Sequence, residues 1–224
     1  MYSFYRRTFM TVLFKKQANY PLTNQHNQTF EATCYHYINK QEQPDIAKAL
    51  YEGTLFQAHD PHTNEVTSFT YPCLYEDSQK KFLVFFIPND TVAFEDVSAT
   101  MFEGGTNDYS DYTLRFTNYV TEFYEKINIL DSQLLDTEVE CVKLFTHTLL
   151  QEQNQLKENT HLFFHEESGK PFIMVLSPNN QARVDYNQDL VDIVHNRIEN
   201  KLHLPKGQLF HVNGKWAIDA LDLA

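Results

Sequence analysis

Apolar and polar positions fall into blocks whose period changes along the chain. Thr29 to Ile38 (TFEATCYHYI) is rich in β-branched and aromatic residues and predicts a strand. Pro44-Asp45 opens a short helix through Leu50, stopped near Gly53. Residues 54–102 are β-rich. A short strand is expected over Thr54–Ala58, and the turn formers His59-Asp60-Pro61-His62-Thr63-Asn64 follow it. Val66–Tyr75 alternates well enough for a strand, Asp77-Ser78-Gln79 turns the chain, and Lys81–Ile87 (KFLVFFI) has the continuous apolar run of a buried strand. Together these predict an antiparallel meander.

Beyond the loop Glu103-Gly104-Gly105-Thr106-Asn107-Asp108 the period shifts to three- and four-residue steps. Tyr112, Phe116, Tyr119, Val120, Phe123, Tyr124 and Ile127 form one face of an amphipathic helix, with Ser110 or Asp111 as its N-cap. A second helix carries Leu135, Val139, Val142, Phe145 and Leu149; Thr137 and Glu140 have capping-box spacing, and a start at Asp131 or Ser132 is the alternative. His161–His165 and Pro171–Leu176 flank Glu166-Glu167-Ser168-Gly169-Lys170 as a hairpin. Asp185 or Asn187 caps a third helix with Leu190, Val191, Val194, Ile198 and Leu202 on its apolar face, ended by Pro205 and Gly207. Gln208–Val212 and Lys215–Leu221 around Asn213-Gly214 predict a final hairpin. The expected class is α+β, with an antiparallel β-rich N-terminal half and helices packed on an antiparallel sheet in the C-terminal half. The expected division is residues 1–107 and 108–224, with one continuous domain as the alternative.

Within residues 135–212, Leu162-Phe163-Phe164 and Phe172-Ile173-Met174-Val175-Leu176 form a hairpin after a long helix; an amphipathic helix then leads to Leu204-Pro205-Lys206-Gly207 and a strand. This layout resembles the C-terminal domain of the enhanced serine sensitivity (SseB) family. The stretch from Ala47 to Phe94, with Ala49-Leu50 and Phe85-Phe86-Ile87-Pro88, is similar to that family's N-terminal part. The match lies in pattern rather than in particular residues, and Ala93 to Asp131 departs from it. The resemblance implies an interaction or accessory protein and brings no catalytic motif to this chain.

Composition narrows the picture. Aromatics make up 14% of the 224 residues, with 18 Phe and 13 Tyr, which a disordered chain would lack. Cys34, Cys73 and Cys141 are odd in number and include no C-x-x-C pair, so a reduced, cytoplasmic setting is expected. No apolar run approaches the roughly 20 residues that span a bilayer. Arg6-Arg7 has the look of a twin-arginine export signal, but the apolar stretch after it ends at Lys15-Lys16; a first strand or short helix on the core is the expectation. The formal net charge is −12. Residues 89–140 hold two basic and twelve acidic residues, which repel nucleic acid and attract basic partners.

Candidate chemistry is sparse. The six glycines include no phosphate-cradling loop, and no G-x-S-x-G elbow occurs. His59, Asp60 and His62 could ligate a metal, with His36 or His165 as a third imidazole. Cys34 and His36 share a strand face and could form a thiolate–imidazole pair. Asp108 and Asp111 flank the Gly loop without calcium-loop spacing. Arg6, Arg7, Lys15 and Lys16 are the one basic cluster. The leading expectation is a non-enzymatic acidic interaction protein of immunity, adaptor or inhibitor type. It would use Glu95, Asp96, Glu103, Asp108 and Asp111 to bind a basic protein partner, with no catalytic residue, cofactor, nucleic acid or membrane involved. The alternatives are a metal-dependent hydrolase built on His59, Asp60 and His62, and a homo-oligomeric structural protein.

Overall fold

The structure, a computed structural model, describes residues 16–88 and 108–222. Its contacts group into two units, Met1–Tyr124 and Glu125–Ala224, each with its own strands and core. The Gly104-Gly105 loop expected to separate the halves lies outside the described residues, as do Arg6, Arg7, Lys15, Glu95, Asp96 and Glu103.

In the first unit, β1 (Ala18–Thr23) and β2 (Thr29–Cys34) form an antiparallel hairpin. Phe30, Ala32 and Cys34 of β2 point inward while Thr29, Glu31 and Thr33 face solvent, the period of a half-buried strand. The expected strand over Thr29–Ile38 breaks at Tyr35-His36 and resumes as β3 (Tyr37–Asn39). Helix α1 (Pro44–Tyr51) follows as expected, with Ala47 and Leu50 buried. β4 (Gln57–His59) and β5 (Val66–Ser68) pair antiparallel across the Asp60 turn. β6 (Cys73–Asp77) and β7 (Phe82–Phe86) make the hairpin expected around Asp77-Ser78-Gln79. β3 joins β6 in parallel, and β8 (Thr113–Thr117) joins β7 in parallel. The sheet is therefore mixed, and all five residues of β7 are buried, as a strand flanked on both edges and covered on both faces must be.

Strand β8 corrects the expected helix over Tyr112–Ile127. Tyr112 and Phe116 keep helical spacing with Tyr119 and Phe123, but Tyr112, Leu114 and Phe116 also alternate as a strand does, and the pairing of Leu114 and Phe116 with Leu83 and Phe85 decides the matter. The helix begins only at Val120 (α2, Val120–Asp131). Phe56 is the hub of this core, with ring centroids 4.9 Å from Tyr71, 5.3 Å from Phe86 and 6.2 Å from Phe123.

In the second unit, α3 (Asp136–Glu152) is followed by β9 (His161–Glu167), β10 (Lys170–Ser177) and β11 (Asn180–Asp185), an antiparallel sheet with β10 in the middle. The β9–β10 turn is Ser168-Gly169, both at positive φ (53° and 75°), the backbone a tight hairpin requires. Phe164 and Ile173 pack against Ile129 and Val139 of the helices. Helix α4 (Gln188–Leu202) buries all five residues of its expected stripe against Cys141, Val142, Ala217, Ala220 and Leu221. The Asn187 side chain caps it by accepting from Asp189 N at 2.8 Å.

Three expectations fail here. Strand β11 lies between the expected hairpin and the expected third helix, where no strand is predicted. Asn213-Gly214 is no hairpin: Asn213 Oδ1 accepts from Trp216 N at 3.1 Å and starts helix α5 (Gly214–Ala220). Ala217, Ala220 and Leu221 then recur at helical steps and are buried. Thr137 serves a different helix end, donating to the Leu202 carbonyl at 2.8 Å, one of the last carbonyls of α4 that lack partners within their own helix. The α+β class stands, with helices on an antiparallel sheet in the C-terminal half. Among the described residues no helix is long and apolar enough to cross a membrane.

Candidate functional site

The residues singled out for metal chemistry form a turn. Asp60 is buried, and its carboxylate accepts from Asn24 Nδ2 at 2.6 Å, His62 N at 2.8 Å and Thr63 Oγ1 at 3.1 Å. Burial alone would raise its pKa; these hydrogen bonds outweigh burial and hold it low. His59 and His62 are exposed on either side. Among the described residues no group of three or more His, Cys, Asp or Glu side chains is placed to hold a metal ion. Asp60 instead locks the β4–β5 turn, because its oxygens are already filled by donors of the β1–β2 and β4–β5 turns.

The thiolate–imidazole pair does not form either. His36 is buried, with Nδ1 2.8 Å from the Pro72 carbonyl and Nε2 3.2 Å from the Tyr20 hydroxyl. A carbonyl can only accept, so Nδ1 carries the proton and Nε2 accepts from Tyr20. Burial lowers the His36 pKa and keeps the ring neutral. Burial also pushes the Cys34 thiol up to about 11 and raises Cys73 further, so both stay protonated and unreactive at neutral pH.

Asp108 and Asp111 sit at the start of the β8 approach. Asp108 accepts from Ser110 N at 3.0 Å, and hydrogen bonds from the Ser110 side chain and then its backbone hold the carboxyl low. Asp111 pairs with Lys81, and both are about half exposed, so the pair adds little to stability.

The densest polar constellation escaped the sequence reading. Between α2 and α3 of the second unit, Lys126 lies 3.2 Å from both Asp136 and Glu140, and Lys143 lies 2.8 Å from Glu125 and 3.1 Å from Glu140. Four of these five side chains are almost fully buried. Three carboxylates share two ammonium groups in a largely buried space. Burial raises the Glu125 pKa despite Lys143, whereas for Glu140 the two lysines outweigh burial and lower it. Glu125 also accepts from the Phe164 backbone N–H at 2.5 Å, tying α2 to β9.

Beside it runs a second chain of groups. Tyr186 donates to Glu138 Oε1 at 2.7 Å, His195 Nε2 lies 2.8 Å from Glu138 Oε2, and His195 Nδ1 contacts Glu199. His203 lies 3.6 Å from the other Glu199 oxygen. Hydrogen bonds from Glu138, then Glu199, raise the His195 pKa. The spacing of His195 and Glu199, i to i+4 on α4, was visible in the sequence; the approach of Glu138, 57 positions away, was not.

Burial changes the meaning of the acidic stretch 89–140. Four of its twelve acids, Glu125, Asp136, Glu138 and Glu140, are internal and serve these networks. Of the other eight, six lie in residues 89–111, a stretch with no Lys, Arg or His.

The sequence model of one protein family, described as CpXC protein, matches residues 25–143. The expected SseB resemblance is not supported: the matching family is another, and after Leu204-Pro205 the chain forms only the two-residue strand β12 (Leu209–Phe210) before α5. No curated protein and no solved structure matches the chain.

Proposed function

The chain belongs to the CpXC protein family, and from the charge of a segment inside the matched region we propose that it is a non-enzymatic interaction protein that captures a partner with a basic surface. The observation that carries this reading is the run of six acids, Asp90, Glu95, Asp96, Glu103, Asp108 and Asp111, uninterrupted by any basic residue. The scaffold supports it. The segment joins β7 to β8, which are paired and almost wholly buried, so its two ends are anchored to the core of the first unit. Long connections on a rigid sheet are common places for recognition. An acidic segment on such a frame steers a basic partner and speeds association, by about ten-fold to a thousand-fold at low salt.

The test is a quadruple charge reversal, Glu95→Lys, Asp96→Lys, Asp108→Lys and Asp111→Lys, with a melting curve to confirm folding. A partner is first identified by cross-linking in the native host, and its association rate is then measured by surface plasmon resonance at several salt concentrations. The reading expects the rate to fall at least ten-fold in the variant and the salt dependence of the wild type to vanish. An unchanged rate and salt slope would remove the acidic segment from the interaction.

A further inference from the structure

The three-stranded sheet of the second unit has two unlike edges. On β9, the pair Glu167↔Lys170 closes a two-residue turn, and bonded and non-bonded pairs alternate away from it. The Phe164 N–H therefore points away from β10, and Glu125 receives it at 2.5 Å. On β11, the pair Ser177↔Asn180 closes the other two-residue turn. By the same alternation Val184 turns its backbone groups to β10, while Arg183 and Asp185 turn theirs to the free edge. No hydrogen bond from a described residue reaches those outward groups, and Gln181, Ala182, Arg183 and Asp185 are all exposed.

We propose that this edge pairs with β11 of a second copy of the chain, antiparallel, about a two-fold axis through Val184. Charge selects that register. With Val184 opposite its own copy, Arg183 faces Asp185 of the other strand, and symmetry makes the pair twice. Arg183 and Asp185 are both outward-facing in their backbone groups, so each such pair can exchange two N–H···O bonds. Moving the axis one residue back, to Arg183, sets two guanidinium groups opposite each other, which is destabilising. Arg183 is already held in place, stacked 3.7 Å over the Phe172 ring and 3.0 Å from Glu167. Its guanidinium has five donors, enough to keep that contact and take a second carboxylate. The interface is isologous, the same strand contributed by both copies.

The full chain, run in sedimentation velocity over a wide concentration range, should move from 26.4 kDa towards twice that mass. Asp185→Arg and Arg183→Asp each place like charges opposite one another and should weaken the dimer at least ten-fold. The double exchange, Arg183→Asp with Asp185→Arg, restores the complementary pairs and should restore the dimer. All four proteins are first checked for the same melting behaviour, since these positions are exposed. A wild type that stays monomeric throughout, single variants that dimerise as well as the wild type, or a double exchange that fails to recover would each overturn the proposal.

Discussion

His195 is held between two carboxylates, and this fixes how the second unit answers to pH. Glu138 and Glu199 favour its protonated form, so its folded-state pKa stands above the ordinary 6.5. The bridge between α3 and α4 is then fully present below the ordinary value and is lost as pH rises through the raised one. Melting curves across that window should show the wild type losing stability as pH rises, with His195→Gln flattening that part of the profile. An identical profile in the variant would show that the bridge does not contribute. Lys126 tells the opposite story about exposure. It is 2% exposed between Asp136 and Glu140, so Lys126→Ala leaves buried carboxylates without a counter-charge and should cost about 3–5 kcal/mol in urea unfolding. Replacing Lys81, whose partner Asp111 is half exposed, should cost under about 1 kcal/mol in the same assay. None of these differences is written in residue type. Lys126 and Lys81 are the same letter, and only the packing of α2 on α3 separates them.

Elements were legible where one period had no competitor. The α4 stripe of Leu190, Val191, Val194, Ile198 and Leu202 is buried as expected, and so is the Phe82–Phe86 run. Errors arose where two readings fit the same letters. Tyr112 and Phe116 suit both a helix stripe and a strand face, and the parallel partner β7, some 30 residues away, chose the strand. Asn213-Gly214 suits both a tight turn and a helix start, and Trp216 N on the Asn213 side chain chose the helix. Asn187→Ala and Asn213→Ala should therefore behave alike, each losing about 1 kcal/mol as an N-cap does. A hairpin at Asn213-Gly214 would instead tolerate the change poorly, through its positive φ rather than through a lost cap. Asp60 shows the same limit of local sequence: His59 and His62 are its neighbours in the chain, but Asn24, 36 positions upstream, is what its carboxylate binds.

At the scale of the whole chain, charge and burial must be read together. Seven of the thirty acids, Asp60, Glu76, Asp77, Glu125, Asp136, Glu138 and Glu140, are buried among the described residues. The formal charge therefore overstates the acid that the described residues present at their surface. The family match ends on Lys143, so it takes in all five members of the buried ion network and stops before the sheet whose edge Glu125 covers. That coverage has a consequence for growth. In this sheet the Phe164 N–H at the middle of the β9 edge is taken by a carboxylate, which disfavours a neighbour there, so on the proposed pairing each copy offers β11 for addition and assembly terminates once β11 is taken. Opening the sealed end would make the sheet a two-ended unit, able to add copies without limit, which is how strands seed fibres. Glu125→Ala should therefore scatter light increasingly with time at concentrations where the wild type stays clear. Glu125→Gln, which removes the charge but keeps an oxygen for the Phe164 N–H, should remain clear.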